Sequence, residues 1–180
     1  MAFVDYTLLS RKYQTGLMAV NVQLIKEFDI FHCLLAGSTA HANAVKSRIT
    51  GVPVEFLTWL EVCDGGMLFD TTMLTTKAYD DKLGLDFYTY DDFFIAQVRQ
   101  ELNLSDDWFV FAVAVHSDIF YFDNTKKDGK VYQWDVEDEV VYAEWVTFED
   151  WMNDQIYEAI EQIADDNIMP LSIKMGDFNG

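Results

Sequence analysis

The stretch that decides the fold runs from residue 109 to 151. It reads Phe109-Val-Phe-Ala-Val-Ala-Val115, then Asp118-Ile-Phe-Tyr-Phe-Asp123, Lys130-Val-Tyr-Gln-Trp134, Val140-Val-Tyr142 and Thr147-Phe-Glu-Asp-Trp151. The first segment is an unbroken apolar run of strand length, rich in β-branched and aromatic residues, so it predicts a central strand covered on both faces. The next two segments flank a polar connection, Asn124-Thr-Lys-Lys-Asp-Gly129, and predict a hairpin. Gly129 supplies the positive φ that a tight return needs. An acidic bend, Asp135-Val-Glu-Asp-Glu139, and the short β-like run at 140–142 then lead to a helix start at Thr147. There the Thr147 hydroxyl can accept from a free first-turn N–H while the Asp150 carboxylate reaches back, the pattern of a capping box.

Working outward, Phe148, Met152, Ile156, Ala159, Ile160 and Ile163 recur at helical spacing and give the last helix one apolar face. At about 100° per residue, Asp150, Asp154, Glu158, Glu161 and Asp165 fall within an arc of roughly 80° away from that face. No Lys or Arg occurs between Thr147 and Asn167 to offset them. Acids four residues apart repel by a few tenths of a kcal/mol, and those near the C-terminus also oppose the helix dipole. A basic partner laid along this ridge would relieve the repulsion and gain electrostatic steering. The ridge is therefore the candidate binding face, set against the simpler reading of a solvated outer side. Replacing both Asp154 and Glu158 by Lys is expected to leave stability equal or higher.

Upstream, Leu24, Ile25, Phe28, Phe31 and Leu35 recur at three- and four-residue steps, predicting a helix from about Val20 that Gly37 ends. Residues 1–16 fit either a short helix or an edge strand. Ser38 or Thr39 can cap a second helix over 40–49, and Pro53 opens a third, its missing N–H costing nothing in a first turn. In that third helix Phe56, Leu57 and Leu60 face inward with Trp59 at the edge, and Asp64-Gly65-Gly66 ends it in a sharp turn. Residues 67–69 read as the first strand and 72–75 as a weaker second. Asp80-Asp81 to Asp86 reads as a polar connection and 87–90 is ambiguous. Asp91 or Asp92 can cap a helix carrying Phe94, Ile95, Val98 and Leu102, which residues 103–107 break. The sum is an α+β domain: a mostly antiparallel sheet with helices packed against it.

A length of 180 residues suits one domain, and 51% apolar with 16% aromatic content is ample for a packed core. Thirty-one acidic residues against 12 basic give a net charge of −19, which repels nucleic-acid phosphates and anionic membranes and favours a basic protein partner. Two cysteines, Cys33 and Cys63, do not make a disulfide framework, no signal peptide is read at the N-terminus, and the window 17–36 carries too many polar residues for hydrocarbon. The expectation is a cytoplasmic protein, monomeric or weakly dimeric.

His32, His41 and His116 are scattered without metal-ligand spacing, and no serine or cysteine sits in a nucleophile motif. Asp64-Gly65-Gly66 lacks the Gly-Lys-Ser/Thr of a phosphate loop. Acid runs at 80–81, 91–92 and 135–139 lack the alternating ligands and central glycine of a calcium loop. Trp59, Trp134 and Trp151 read as core or core-edge residues before they read as a ligand cleft. Neither a catalytic centre nor a cofactor or metal site is expected.

The ordered series Pro53-Val-Glu-Phe-Leu-Thr-Trp-Leu60, Asp64-Gly65-Gly66, Phe120-Tyr-Phe-Asp123, Gly129-Lys-Val-Tyr-Gln-Trp-Asp135 and Thr147-Phe-Glu-Asp-Trp-Met152 resembles the SUKH superfamily, the SMI1/KNR4-like group. The resemblance spans about residues 39–163 and rests on Pro53, Trp59, Gly65, Gly66, Asp123, Gly129 and Trp134 as motif positions. Asp64 stands where the family commonly has Asn, and His116-Ser117 where it has a Gly/Asp-rich connection. The implied layout is a helical extension over 1–37, packed on the same domain, and the SMI1/KNR4-like domain over 38–180. The implied function is binding without catalysis. Many bacterial members resemble immunity proteins that neutralise toxins, and fungal members act as regulatory interaction proteins. The resemblance thus points to an immunity protein for a cognate toxin, or alternatively to a regulatory or scaffold module that binds a host protein.

Overall fold

The computed structural model describes residues 3–27, 32–76, 89–114 and 116–165. In chain order the elements are α1 (Tyr6–Lys12), α2 (Leu17–Glu27), β1 (His32–Ala36), α3 (Thr39–Arg48), α4 (Val54–Leu60), β2 (Cys63–Leu68), β3 (Thr71–Met73), α5 (Tyr90–Phe94), α6 (Ala96–Glu101), β4 (Trp108–Ala114), β5 (Ile119–Asp123), β6 (Val131–Asp135), β7 (Val140–Trp145) and α7 (Phe148–Asp165). The seven strands form one sheet in sequence order, β1 to β7, with every neighbouring pair antiparallel. An α+β domain with helices laid on an antiparallel meander is what the segment pattern predicts.

Strand alternation sorts the aromatic residues of β4 and β5 onto two faces. On one face Phe111 stacks on Phe122 at 4.7 Å, and Phe56 of α4 meets Phe148 of α7 at 5.1 Å and Phe111 at 5.2 Å. Trp151 stands edge-on to Phe111 at 4.8 Å. Helices α4 and α7 therefore share one face of the sheet and close the core over it. On the other face Trp108 stacks on Tyr121 at 4.1 Å and meets Trp134 at 5.0 Å, with Tyr132 beside Tyr121 at 5.6 Å. Burial on both sides explains why β4 has no polar side. Buried Arg99 of α6 donates to the carbonyls of Ser105 and Trp108, tying the loop before β4 to the helix that precedes it.

The hairpin between β5 and β6 is built by side chains closing on their own backbone. Asp123 Oδ1 accepts from Thr125 N at 2.9 Å, Asp128 Oδ1 accepts from Lys130 N at 3.0 Å, and the Tyr132 hydroxyl donates to Asp128 Oδ2 at 2.7 Å. Gly129 takes φ +73°.

Several expectations are corrected. The helix predicted from Val20 to Leu35 is shorter: α2 ends at Glu27, Phe28 and Phe31 lie outside the described residues, and residues 32–36 form β1, paired with β2. Cross-strand pairing there overrides a helical apolar spacing. Asp64-Gly65-Gly66 is not the turn after α4; Glu61 and Val62 make that turn, and the three residues lie inside β2. Gly65, at φ +85°, is required because a Cβ there would sit 2.2 Å from the Leu74 carbonyl oxygen. Asp64 is fully buried and accepts from Thr76 N at 3.1 Å and Thr76 Oγ1 at 2.9 Å. Trp59 is fully buried rather than at the edge of its helix face. The helix assigned to Asp91 or Asp92 is two helices, α5 and α6, and Thr89 caps the first in a capping box with Asp92. Ile95, between the two, is exposed. Pro53 sits at the N-cap of α4, one position before its first turn. The 80–81 acid pair and residues 87–88 lie outside the described residues.

Candidate interaction surface

Helix α7 turns Phe148, Trp151, Met152, Ile156, Ile160 and Ile163 into the core. Its start is fixed as the sequence suggests. Asp150 N donates to Thr147 Oγ1 at 3.0 Å, and the same hydroxyl donates to Asp150 Oδ2 at 2.7 Å. The carboxylate thus closes on the capping hydroxyl, which leaves Asp150 half-buried and engaged in the cap.

Of the remaining ridge, Asp154, Glu158 and Glu161 are exposed along one flank, and the Asp165 side chain lies outside the described residues. The ridge is attached to the sheet: Trp145 Nε1 of β7 donates to Asp154 Oδ2 at 2.9 Å. Partial burial, then the neighbouring Asp154 and Glu161 charges, push the Glu158 carboxyl above its ordinary value. Glu149, on the other side of the helix start, is pushed up by burial and then by Glu55 and Asp150. A row of acids that repel one another leaves a standing preference for an incoming cation.

Beside the ridge lies an open cleft of about 290 Å³ between the C-terminal half of α7, the β2–β3 and β4–β5 turns, and the middle of β6 and β7. Gln155, Glu158 and Gln162 line it from the helix, Asp70 and Asp118 from the turns, and Tyr142 from β7. Its walls are tied by Thr71 Oγ1 donating to Gln155 Oε1 at 3.0 Å and Gln133 Nε2 donating to Asp118 Oδ2 at 2.8 Å. Among the described residues no group of three or more His, Cys, Asp and Glu is placed to hold a metal ion, and no helix is long and apolar enough to cross a membrane.

The motif residues of the sequence serve the fold rather than the ridge. Trp59 packs against Phe148 at 6.2 Å, Trp134 meets Trp108, Asp123 and Gly129 build the hairpin turn, and Pro53 lies 3.8 Å from where a Gly129 Cβ would be. Sequence reasoning did not single out the apolar surface of β7. Val140, Val141, Tyr142 and the following Val146 are exposed. The β-like composition of 140–142 was the available signal; what it lacked was the strand's position at the end of the sheet.

A seven-stranded antiparallel meander closed by α4 and α7 on one face, with an acidic helix flank beside an exposed last strand, defines an α+β domain with one strongly charged side. The model of the SMI1/KNR4 family (SUKH-1) matches residues 44–154, and the chain belongs to that family. The match runs from α3 into α7 and takes in Asp150 and Asp154, while α1, α2 and β1 lie outside it. Comparison with curated proteins and with solved structures gave no match.

Proposed function

We propose that this chain is a non-catalytic protein-binding domain that acts as an immunity protein, neutralising a cognate bacterial toxin by binding it. Membership of the SMI1/KNR4 family supports a role of this kind, since that family is generally associated with immunity in toxin systems. The observation that carries the reading is the flank of α7. Asp154, Glu158 and Glu161 stand exposed on one side of a helix without a single Lys or Arg, and the sequence sets Asp165 on the same arc. The partner is a basic protein surface, and the ligand is neither nucleic acid nor membrane. The protein works in the cytoplasm without a cofactor, as a monomer or weak dimer.

The test looks next to the gene for a toxin-like reading frame, whose absence counts against the immunity reading. Expressed alone that frame should arrest growth, and co-expression of this chain should restore it. Glu158→Lys with Glu161→Lys should slow association with the purified toxin and flatten its salt dependence. Growth arrest that this chain does not relieve would rule out the immunity reading. An unchanged association rate at low and physiological salt would remove the ridge from the interface.

A further inference from the structure

The sheet has two edges, and they are treated differently. At β1 the edge is covered by the chain's own N-terminal segment: Val4 N donates to the Leu34 carbonyl at 3.0 Å and Phe3 bridges Leu35. At the other end β7 is paired with β6 alone among the described residues. Its side chains do not mask the open side. Val140, Val141 and Tyr142 are 49%, 48% and 71% exposed, and Val146, just beyond the strand, is 70% exposed. A β-branched and aromatic strand whose outer row of N–H and C=O groups pairs with no other strand among the described residues is a template for one more strand.

Charge selects the occupant. From Val131 to Asn167 the sequence holds twelve Asp and Glu and no Lys or Arg. Glu139 and Glu144 bracket the exposed apolar residues, and the α7 ridge lies alongside, joined to the strand through Trp145 and Asp154. Lys130, just before the neighbouring strand β6, is engaged with Glu144 at 2.6 Å. Pairing β7 with a second copy would bring these acids face to face. An extended segment that alternates apolar residues with Lys or Arg meets both the open backbone and the acids.

We propose that β7 is a docking edge that takes an extended, lysine- or arginine-bearing segment of a partner protein as an eighth strand of the sheet. The proposal rests on the protein-binding reading above and adds how the partner is held: main chain along β7, with apolar contacts to Val141 and Tyr142 and cations over the α7 acids.

The full chain is titrated with an eight-residue peptide of alternating Val and Lys, up to about 1 mM. Alongside it run a Val and Glu counterpart and two Val and Lys peptides N-methylated on alternate amides, one for each edge of the peptide. Amide hydrogen exchange at residues 140–145 should slow about tenfold or more with the unmodified Lys peptide. The Glu peptide should leave it unchanged. One methylated peptide should bind as the unmodified one does and the other should lose binding, because only the inward-facing edge of an added strand donates hydrogen bonds. Equal binding by both methylated peptides, or no protection of β7, overturns the proposal. So does protection already present without peptide, whether from this chain or from a dimer seen by sedimentation. The immunity reading fails separately. Toxin rescue that survives Val141→Lys with Tyr142→Lys overturns the docking edge alone, whereas absent rescue with intact peptide binding overturns immunity alone.

Discussion

Trp145 Nε1 donates to the Asp154 carboxylate at 2.9 Å, so the edge strand of the sheet and the acidic flank of the last helix are joined by one hydrogen bond. This separates two residues that sequence alone treats as equivalent. Asp154 has a structural partner, whereas Glu158 has only like-charged neighbours raising its carboxyl beyond the effect of burial. Trp145→Phe should cost about 0.5–1.5 kcal/mol in urea unfolding, the low end applying if solvent replaces the donor. Asp154→Lys should lower stability through the same loss, which corrects the sequence expectation of equal or higher stability for the Asp154 and Glu158 pair, and Glu158→Lys alone should raise it by a few tenths of a kcal/mol. A Glu158→Lys protein less stable than the parent would show that the ridge is not under repulsion.

Asn21 of α2 is fully buried; its Nδ2 donates to the Glu149 carbonyl at 3.0 Å and its Oδ1 accepts from Asn153 Nδ2 at 2.7 Å. It ties the N-terminal helices to α7. Asn21→Leu removes both bonds and leaves the half-buried Asn153 amide without this acceptor, while the Glu149 carbonyl keeps its place in the helix ladder, at a cost of about 0.5–1.5 kcal/mol. Adding Asn153→Leu should recover part of that loss, since an apolar pair no longer strands a polar group. A fully additive double variant, read by chemical denaturation, would rule out coupling between the two.

Two glycines with positive φ should respond unequally. At Gly129 a Cβ would be 3.8 Å from Pro53 Cγ, an ordinary contact, so Gly129→Ala costs only the backbone term of about 1–2 kcal/mol. Gly129→Val should cost more, because a β-branched residue resists that φ. At Gly65 the same φ problem is joined by a clash 2.2 Å from a backbone oxygen that cannot rotate away. Gly65→Ala should therefore reduce the yield of folded protein far more than Gly129→Ala, as measured by soluble expression and Tm.

Glu149 and Glu158 should make stability fall as pH rises through their raised values. In the window between the ordinary glutamate value and the raised one, the folded chain binds more protons than the unfolded chain, so the slope of stability with pH is negative there. Above that window the cost is present in full, and below the ordinary value it is gone. Glu149→Gln with Glu158→Gln should be more stable than the parent at neutral pH, and the Tm difference should close on acidification. A difference that stays constant with pH would mean that neither carboxyl is perturbed.

Much of the fold follows from local pattern. The apolar run that becomes β4, the hairpin closed at Gly129, the apolar stripe of α7 and the Thr147–Asp150 cap each depend on residues within a few positions of one another, and periodicity and turn chemistry report such relationships directly. The cap of α5 is equally legible as Thr89-x-x-Asp92, a Thr three residues before an acid, and lies two or three positions ahead of the Asp91 or Asp92 cap that the local pattern suggests.

What the sequence determined by itself is therefore the run of elements from β4 to α7, the apolar face of α7, and the alignment of the acids along it. Tertiary structure alone decided the rest. Residues 32–36 carry a helical spacing but pair with β2 as a strand, because backbone hydrogen bonds to a distant segment outweigh a weak local preference. Gly65 is demanded by the Leu74 carbonyl, nine positions away, which no local motif can announce. Trp59 is buried because α7 closes over α4, and β7 is exposed because it comes last in the sheet order. Periodicity states which face of an element is apolar. Which element lies across that face, and which edge is left without a neighbour, is settled only when the whole sheet has assembled.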